Sequence, residues 1–177
     1  PENLKFSTAI WHYARATAYA KTGDINAARA EHKKMIPLRQ ESKVTYLDSI
    51  YYPATKLLTI ADALMLGEIA MAEEKHDEAI MHFRLAVDTQ DALPYTEPPF
   101  WYYPTRHTLG KALLLTGDAA GAEQVYRSDL KQYPRNGWAM YGLIQALEAQ
   151  DKNTAEIQER SNNVWAQSDI SLPASQF

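Results

Sequence analysis

The sequence predicts an all-α fold, a solenoid of helical hairpins, and two observations carry that expectation. One hinge occurs twice in nearly the same words: residues 22–28 read Thr-Gly-Asp-Ile-Asn-Ala-Ala, and residues 116–122 read Thr-Gly-Asp-Ala-Ala-Gly-Ala. Each copy follows an apolar helical stretch and precedes an amphipathic one, so glycine ends one helix and aspartate begins the next. A looser copy, Glu-Lys-His-Asp-Glu-Ala, runs from Glu74 to Ala79. Repetition of one helix-turn-helix unit predicts a solenoid, and solenoids work by presenting a surface.

Composition narrows the class. With 177 residues the chain is long enough for one domain with a sizeable core, and 1–177 is read as a single domain. A net charge of −4 and a pI near 5.7 argue against nucleic acid, whose phosphates need a clustered basic face. No apolar run of about 18 residues exists, so no membrane span is predicted. The absence of cysteine removes disulfides, thiolate catalysis and thiolate metal sites. The chain opens Pro1-Glu2 with no methionine or signal-like segment, and reads as a piece of something longer. Its compartment stays open, cytoplasmic or periplasmic if bacterial.

Four hairpins follow in order. The first, 7–37, carries Ala16, Tyr19, Gly23, Ala28 and His32. An insertion at 38–56 contains Val44, Tyr46, Leu47, Ile50, Tyr51 and Tyr52 before Pro53, too apolar for a disordered linker. It is expected to extend the flanking helices, with a turn at Pro53. The second hairpin, 57–90, places Leu66-Gly67, Ala70, Ala79, Phe83 and Ala86. A second insertion, 91–101, leads into Tyr102-Tyr103-Pro104; the stretch 91–104 holds four prolines and five aromatics. It is expected to be an ordered, extended loop feeding a helix that starts near Pro104–Thr105. The third hairpin, 102–133, sets Leu109-Gly110 before the Gly117-Asp118 turn, with Ala122 and Tyr126 after it and Pro134 closing the unit. The fourth, 135–166, has Trp138, Tyr141-Gly142 and Ala155, one extra turn residue, and a polar second helix through Gln158–Asn163. That is the composition of a terminal cap, which a solenoid needs over its last apolar face. A tail, 167–177, follows.

The small residues stand where paired helices cross, because a larger side chain would hold them apart. In this pattern the chain resembles the tetratricopeptide-repeat family, whose unit is about 34 residues long, and the resemblance implies a right-handed solenoid of about four repeats with two insertions. Leu109, Gly110, Leu113, Ala122, Tyr126 and Pro134 match that signature in register. Asp129 departs from it, standing where a small residue is usual, and His32 stands where an aromatic is usual. A second resemblance, to a group of longer bacterial tetratricopeptide proteins, rests on Leu93, Pro94, Tyr95, Glu97, Pro98, Pro99, Trp101, Tyr102, Tyr103, Pro104, Arg106, Leu109 and Gly110. It extends to Trp11-His12-Tyr13 and to Trp165–Ser168. It implies that these residues are the C-terminal part of a larger chain, and it supplies no reaction.

Candidate chemistry is sparse. None of the five histidines shares a helix face with another at the i, i+4 spacing of metal-binding pairs; His76 and His82 are six apart. Glu73, Glu74, Asp77 and Glu78 form an acidic group at a turn, where carboxylates favour a helix N-terminus. No Gly-x-Ser-x-Gly elbow, phosphate-cradling loop or cofactor fingerprint is present. No catalytic residue, metal ligand or cofactor is assigned, and the chain is not read as an enzyme. Phe100, Trp101, Tyr102 and Tyr103, being consecutive, cannot share one buried stripe. They either pin the insertion to the solenoid or form a binding hot spot, to which Arg106 and His107 would add charge.

The tetratricopeptide resemblance implies that the first helix of each hairpin lines a concave groove. It assigns Tyr13 and Thr17 to that groove in the first unit; Leu64, Glu68 and Met71 in the second; His107, Lys111 and Leu114 in the third; and Asn136, Ala139 and Leu143 in the fourth. The lining is mixed rather than strongly basic, so the carboxylate clamp of some family members is not expected. The expected role is protein–protein interaction or scaffolding, through a peptide or partner protein held in that groove. Its expected contacts are Tyr13, Thr17, Glu68, Trp101, Tyr102, Arg106, His107, Lys111 and Asn136. The alternatives are a small-ligand or metal-sensing site at the aromatic insertion, or self-association as an oligomerisation module.

Overall fold

The computed structural model describes residues 4–169 and 172–175. Among the described residues the chain forms nine α-helices and no strand. Its contacts divide it into two compact units, Pro1–Tyr103 and Pro104–Phe177, each with its own core.

The first unit contains α1 (Lys5–Lys21), α2 (Ile25–Leu38), α3 (Ser42–Ser49), α4 (Ala54–Ala72) and α5 (His76–Asp91). α1 packs on α2, and α4 on α5, as two hairpins; α1 also lies against α4, so the first helices of successive hairpins are neighbours. α4 is touched by α1, α2, α3 and α5. That explains its nearly continuous apolar sequence: Leu57, Leu58, Ile60, Ala61, Leu64, Met65 and Ile69 are all buried, as a helix surrounded by others requires. α1 buries the small side chains Ala9, Ala16 and Ala20.

The turns repeat one construction. After α1, the Thr22 hydroxyl donates to the Ala18 carbonyl, Gly23 adopts the left-handed conformation at φ 83°, and Asp24 accepts from the Ala27 amide at 3.0 Å. After α6 (Arg106–Leu115), Thr116, Gly117 (φ 88°) and Asp118 do the same, Asp118 accepting from the Gly121 amide at 2.8 Å. The looser copy between α4 and α5 lacks both helpers. Glu74 takes the left-handed position itself at φ 60°, and Lys75 caps α5 without a side-chain hydrogen bond.

The first insertion departs from expectation. Residues 42–49 make a short helix of their own instead of lengthening α2 or α4. Two backbone breaks isolate it: Glu41 is extended (ψ 134°), and Tyr51 is left-handed (φ 66°). Pro53 does cap α4, so the chain turns there. α3 holds on through Val44, which is fully buried. The second insertion is free of helix from residue 92 until Thr105 caps α6, with Glu97-Pro98 in the cis form.

The second unit contains α6, α7 (Ala119–Gln132), α8 (Gly137–Glu148) and α9 (Ala155–Trp165). α6 pairs with α7, α8 with α9, α7 bridges to α8, and α6 meets α8. Its core is Leu109, Ala112 and Leu113 on α6, Ala122 and Tyr126 on α7, and Met140, Leu143 and Leu147 on α8. α9 buries Ile157 and Ser161 and sets Trp165 edge-on against Trp138, centroids 6.0 Å apart. The tail expected at 167–177 is described to Asp169 and again over 172–175. Its other residues, like Pro1-Glu2, lie outside the described residues.

Candidate functional site

In the first unit, the aromatic insertion folds over α1. Trp101 is buried at 4% exposure, with its ring centroid 5.8 Å from that of Tyr13. Phe100 stands edge-on to Tyr52 at 5.6 Å, and Tyr52 edge-on to Phe6 at 5.4 Å. The Tyr13 and Tyr102 hydroxyls approach to 3.4 Å. Burial, with Tyr103 and Tyr102 alongside, pushes the Tyr13 phenol well above the usual tyrosine range. The loop is tied down elsewhere by Lys56 donating to the Ala92 carbonyl and Gln90 to the Tyr103 carbonyl, each at 3.0 Å. Tyr102 is the exposed member at 69%.

The other first-unit candidates lie further along the same helix pair. Thr17 is one turn from Tyr13, and its hydroxyl, like the Trp101 indole N–H, is buried without a hydrogen-bond partner among the described residues. One turn on again, Lys21 pairs with Glu68 of α4 at 3.3 Å. The second turn of α1 also carries His12, whose Nδ1 lies 2.6 Å from Glu31. Although burial works against the charged form, hydrogen bonds from His12 and Lys34 and the charge of Arg15 hold the Glu31 carboxyl below its usual range. His12 and Glu31 thus form a buried α1–α2 joint.

In the second unit, His107 and Asn136 come together, but not as groove surface. His107 is buried at 4% exposure, and its Nε2 accepts from Asn136 Nδ2 at 2.8 Å. The other amide hydrogen of Asn136 goes to Asp129 Oδ2 at 2.7 Å. The Asn136 carbonyl accepts from the Trp138 and Ala139 amides. One side chain thereby caps α8, ties it to α7 and reaches α6. Asp129, the residue that departs from the repeat signature, is explained by this joint: its carboxylate stands where a small residue would leave Asn136 without an acceptor. Arg106 is half-buried at the start of α6.

Lys111, one turn beyond His107, lines a cleft of about 310 Å³ with Leu114 and Leu115 of α6 and Gln145 of α8. Pro173, Ala174 and Ser175 of the tail line it too. Ser175 is 1% exposed, and its hydroxyl lies 2.5 Å from that of Tyr126. Tyr126 belongs to α7, the second helix of its hairpin, is fully buried, and reaches Ser175, itself a lining residue, because nothing blocks its ring. A Cβ on Gly110 of α6 or on Gly142 of α8 would fall within that ring. The two glycines form a slot through which a second-helix tyrosine delivers its hydroxyl to Ser175.

No protein-family model matches the chain, and no curated protein matches it. Among solved structures, the chain is similar to one described as the crystal structure of MamA protein, at 15% sequence identity and a TM-score of 0.51. The likeness covers 93% of this chain and 97% of that one. MamA is a helical tetratricopeptide-repeat protein. The fold here is of the tetratricopeptide type.

Tyr13, Trp101 and Tyr102 therefore gather in one cluster, Thr17 and Glu68 continue its helix pair, His107 and Asn136 share a buried joint, and Lys111 lines a cleft. Sequence reasoning missed that the tail forms one wall of this cleft. Pro173-Ala174-Ser175 has no periodicity and copies no repeat position, so nothing local marks it. Tyr126 was legible as packing, whereas the contact of its hydroxyl with Ser175 was not. No helix of the described residues is long and apolar enough to cross a membrane.

Proposed function

We propose that this chain is a protein-interaction module whose second unit holds an irregular peptide segment in the cleft between α6 and α8. The observation that supports it is the seating of residues 173–175 beside Lys111, Leu114, Leu115 and Gln145. That seating gives the cleft the dimensions and chemistry of a peptide groove, with apolar walls and a few polar groups for orientation. Rigid hairpins present these side chains preordered, so little further ordering is needed on binding. The module is not read as an enzyme: Asn136 links His107 and Asp129 and caps α8, a structural use.

Selection of a random peptide library on the intact chain tests the reading. Enriched peptides are expected to lose at least tenfold in affinity when Leu114, half-exposed in the cleft wall, is changed to arginine, with the melting temperature held within a few degrees. An internal competitor lowers the affinity of all library members together and leaves their ranking intact. Enriched peptides that bind the Leu114→Arg chain equally well, or a selection that enriches nothing, would overturn it.

A further inference from the structure

We infer that the α6–α8 cleft selects an uncharged Pro-small-Ser segment anchored by its serine hydroxyl, and that Pro173-Ala174-Ser175 is its resident occupant, which an outside segment must displace. This rests on the interaction reading and adds the partner's chemistry and the regulation of the same site.

Three features of the cleft carry the inference. The anchor point is immovable: the Tyr126 ring is wedged between Gly110 and Gly142, so its hydroxyl cannot retreat from an incoming side chain. Ser175 covers that hydroxyl at 1% exposure, with the two oxygens in hydrogen-bond contact. A side chain without a polar atom at that position leaves the buried phenol without its partner. Burial, with Asp129 nearby, keeps that phenol protonated, its pKa pushed up to about 12 although the Ser175 hydrogen bond opposes the shift. A neutral hydroxyl suits a neutral phenol that can donate or accept; a carboxylate or phosphate in that desolvated position, facing Asp129, does not.

The remaining lining fits the two residues before the serine. Pro173 and Ala174 carry no charge and line the cleft with Leu114 and Leu115. Leu115 is 66% exposed, so the apolar wall extends beyond what the tail covers. Proline also lowers the ordering cost of a segment that binds without helix or strand. Because the occupant belongs to the same chain, its effective concentration is high, and an outside segment of equal intrinsic affinity is held off by that factor.

The test uses the full chain and a labelled, end-capped peptide with the sequence of residues 168–177, followed by fluorescence anisotropy. Ser175→Arg sets a charge in a buried position against the Tyr126 hydroxyl and evicts the tail, so the peptide is expected to bind that chain at least tenfold more tightly than the unaltered one. Adding Tyr126→Phe to Ser175→Arg is expected to weaken peptide binding about fivefold or more, because the anchor hydroxyl is gone. Peptides with leucine or phosphoserine at the position of Ser175 are expected to bind at least tenfold more weakly. Equal binding to unaltered and Ser175→Arg chains would show that the tail is no competitor. Equal binding of the leucine peptide would remove the hydroxyl as anchor. Should Ser175→Arg lower the melting temperature by more than about 10 °C, Ala174→Asp replaces it as the evicting change, with the same outcomes. A library-selected peptide serves as control: if it binds and the tail peptide does not, this inference fails while the interaction reading stands, and if neither binds, both fail.

Discussion

The Tyr126 hydroxyl meets the Ser175 hydroxyl at 2.5 Å, on the far side of a slot formed by Gly110 and Gly142. One side chain on the second helix of a hairpin thereby connects the packing of α6, α7 and α8 to the occupant of the cleft. The same two glycines that let the helices approach also set where the anchor hydroxyl stands.

Gly142→Ala puts a methyl group into the space of the Tyr126 ring. Overpacking of this kind costs about 1–3 kcal/mol, and chemical denaturation of the purified chain is the measurement. Because the ring must move, amide exchange across α6 and α8 is expected to quicken with it. A variant as stable as the parent would mean that the slot is not tight.

Trp101 and Tyr102 are adjacent in sequence but differ in expected consequence. Trp101→Ala removes a buried ring packed on Tyr13 and is expected to cost about 3 kcal/mol or more. Tyr102→Ser, at a largely exposed ring, is expected to cost under about 1 kcal/mol. Melting curves of the two variants separate the pinning role of the loop from any role of its exposed face. Equal losses would contradict the arrangement described.

Glu123 carries a pH signature. Hydrogen bonds from Lys152 and Arg127, with Gln150 adding to them, hold its carboxyl down at about 2 against a burial effect in the opposite direction. A carboxyl with a depressed folded pKa contributes stability above its unfolded value, 4.5, and loses it as pH falls toward about 2. Both cations are about half exposed, so solvent screening reduces the contribution to about 1 kcal/mol. Glu123→Gln is expected to flatten stability over that window and to remove part of its salt dependence. An unchanged acid limb in urea denaturation at pH 2–5 would exclude the effect.

Glu74 marks the one hinge of the three where a residue with a side chain holds the left-handed position that glycine holds at Gly23 and Gly117. Glu74→Gly is expected to stabilise by about 1 kcal/mol, and Gly117→Ala to destabilise by about 1 kcal/mol or more. Paired melting curves check both signs. Opposite signs would mean that the turns are governed by something other than backbone conformation.

Much of the architecture was readable in the residues because it is written locally. The Thr-Gly-Asp hinges specify a helix stop and start within seven residues, and they recur as hydrogen bonds at Thr22 and Asp24, and at Thr116 and Asp118. The frame those hinges set led to an expectation of four hairpins, and the described residues pair as α1 with α2, α4 with α5, α6 with α7 and α8 with α9. The apolar insertion was legible as ordered, but its separate helix was not. That outcome depends on backbone breaks at Glu41 and Tyr51 and on a pocket for Val44, none of which has a periodic signature.

Candidate contacts fared differently, for the same reason. The groove positions named by repeat register lie along α1, α4, α6 and α8, with Asn136 as the cap of α8, yet register cannot say what covers them. Tyr13 lies beneath the protein's own aromatic loop, His107 is consumed in a joint with Asn136 and Asp129, and Lys111 faces the protein's own tail. These are contacts between residues far apart in the chain: Tyr13 with Trp101, and Tyr126 with Ser175. The sequence by itself determined the hairpins, because turn chemistry and helical period act over a few residues. Tertiary structure alone decided which faces stay open, because occupancy of a groove depends on where distant, non-repeating segments come to rest.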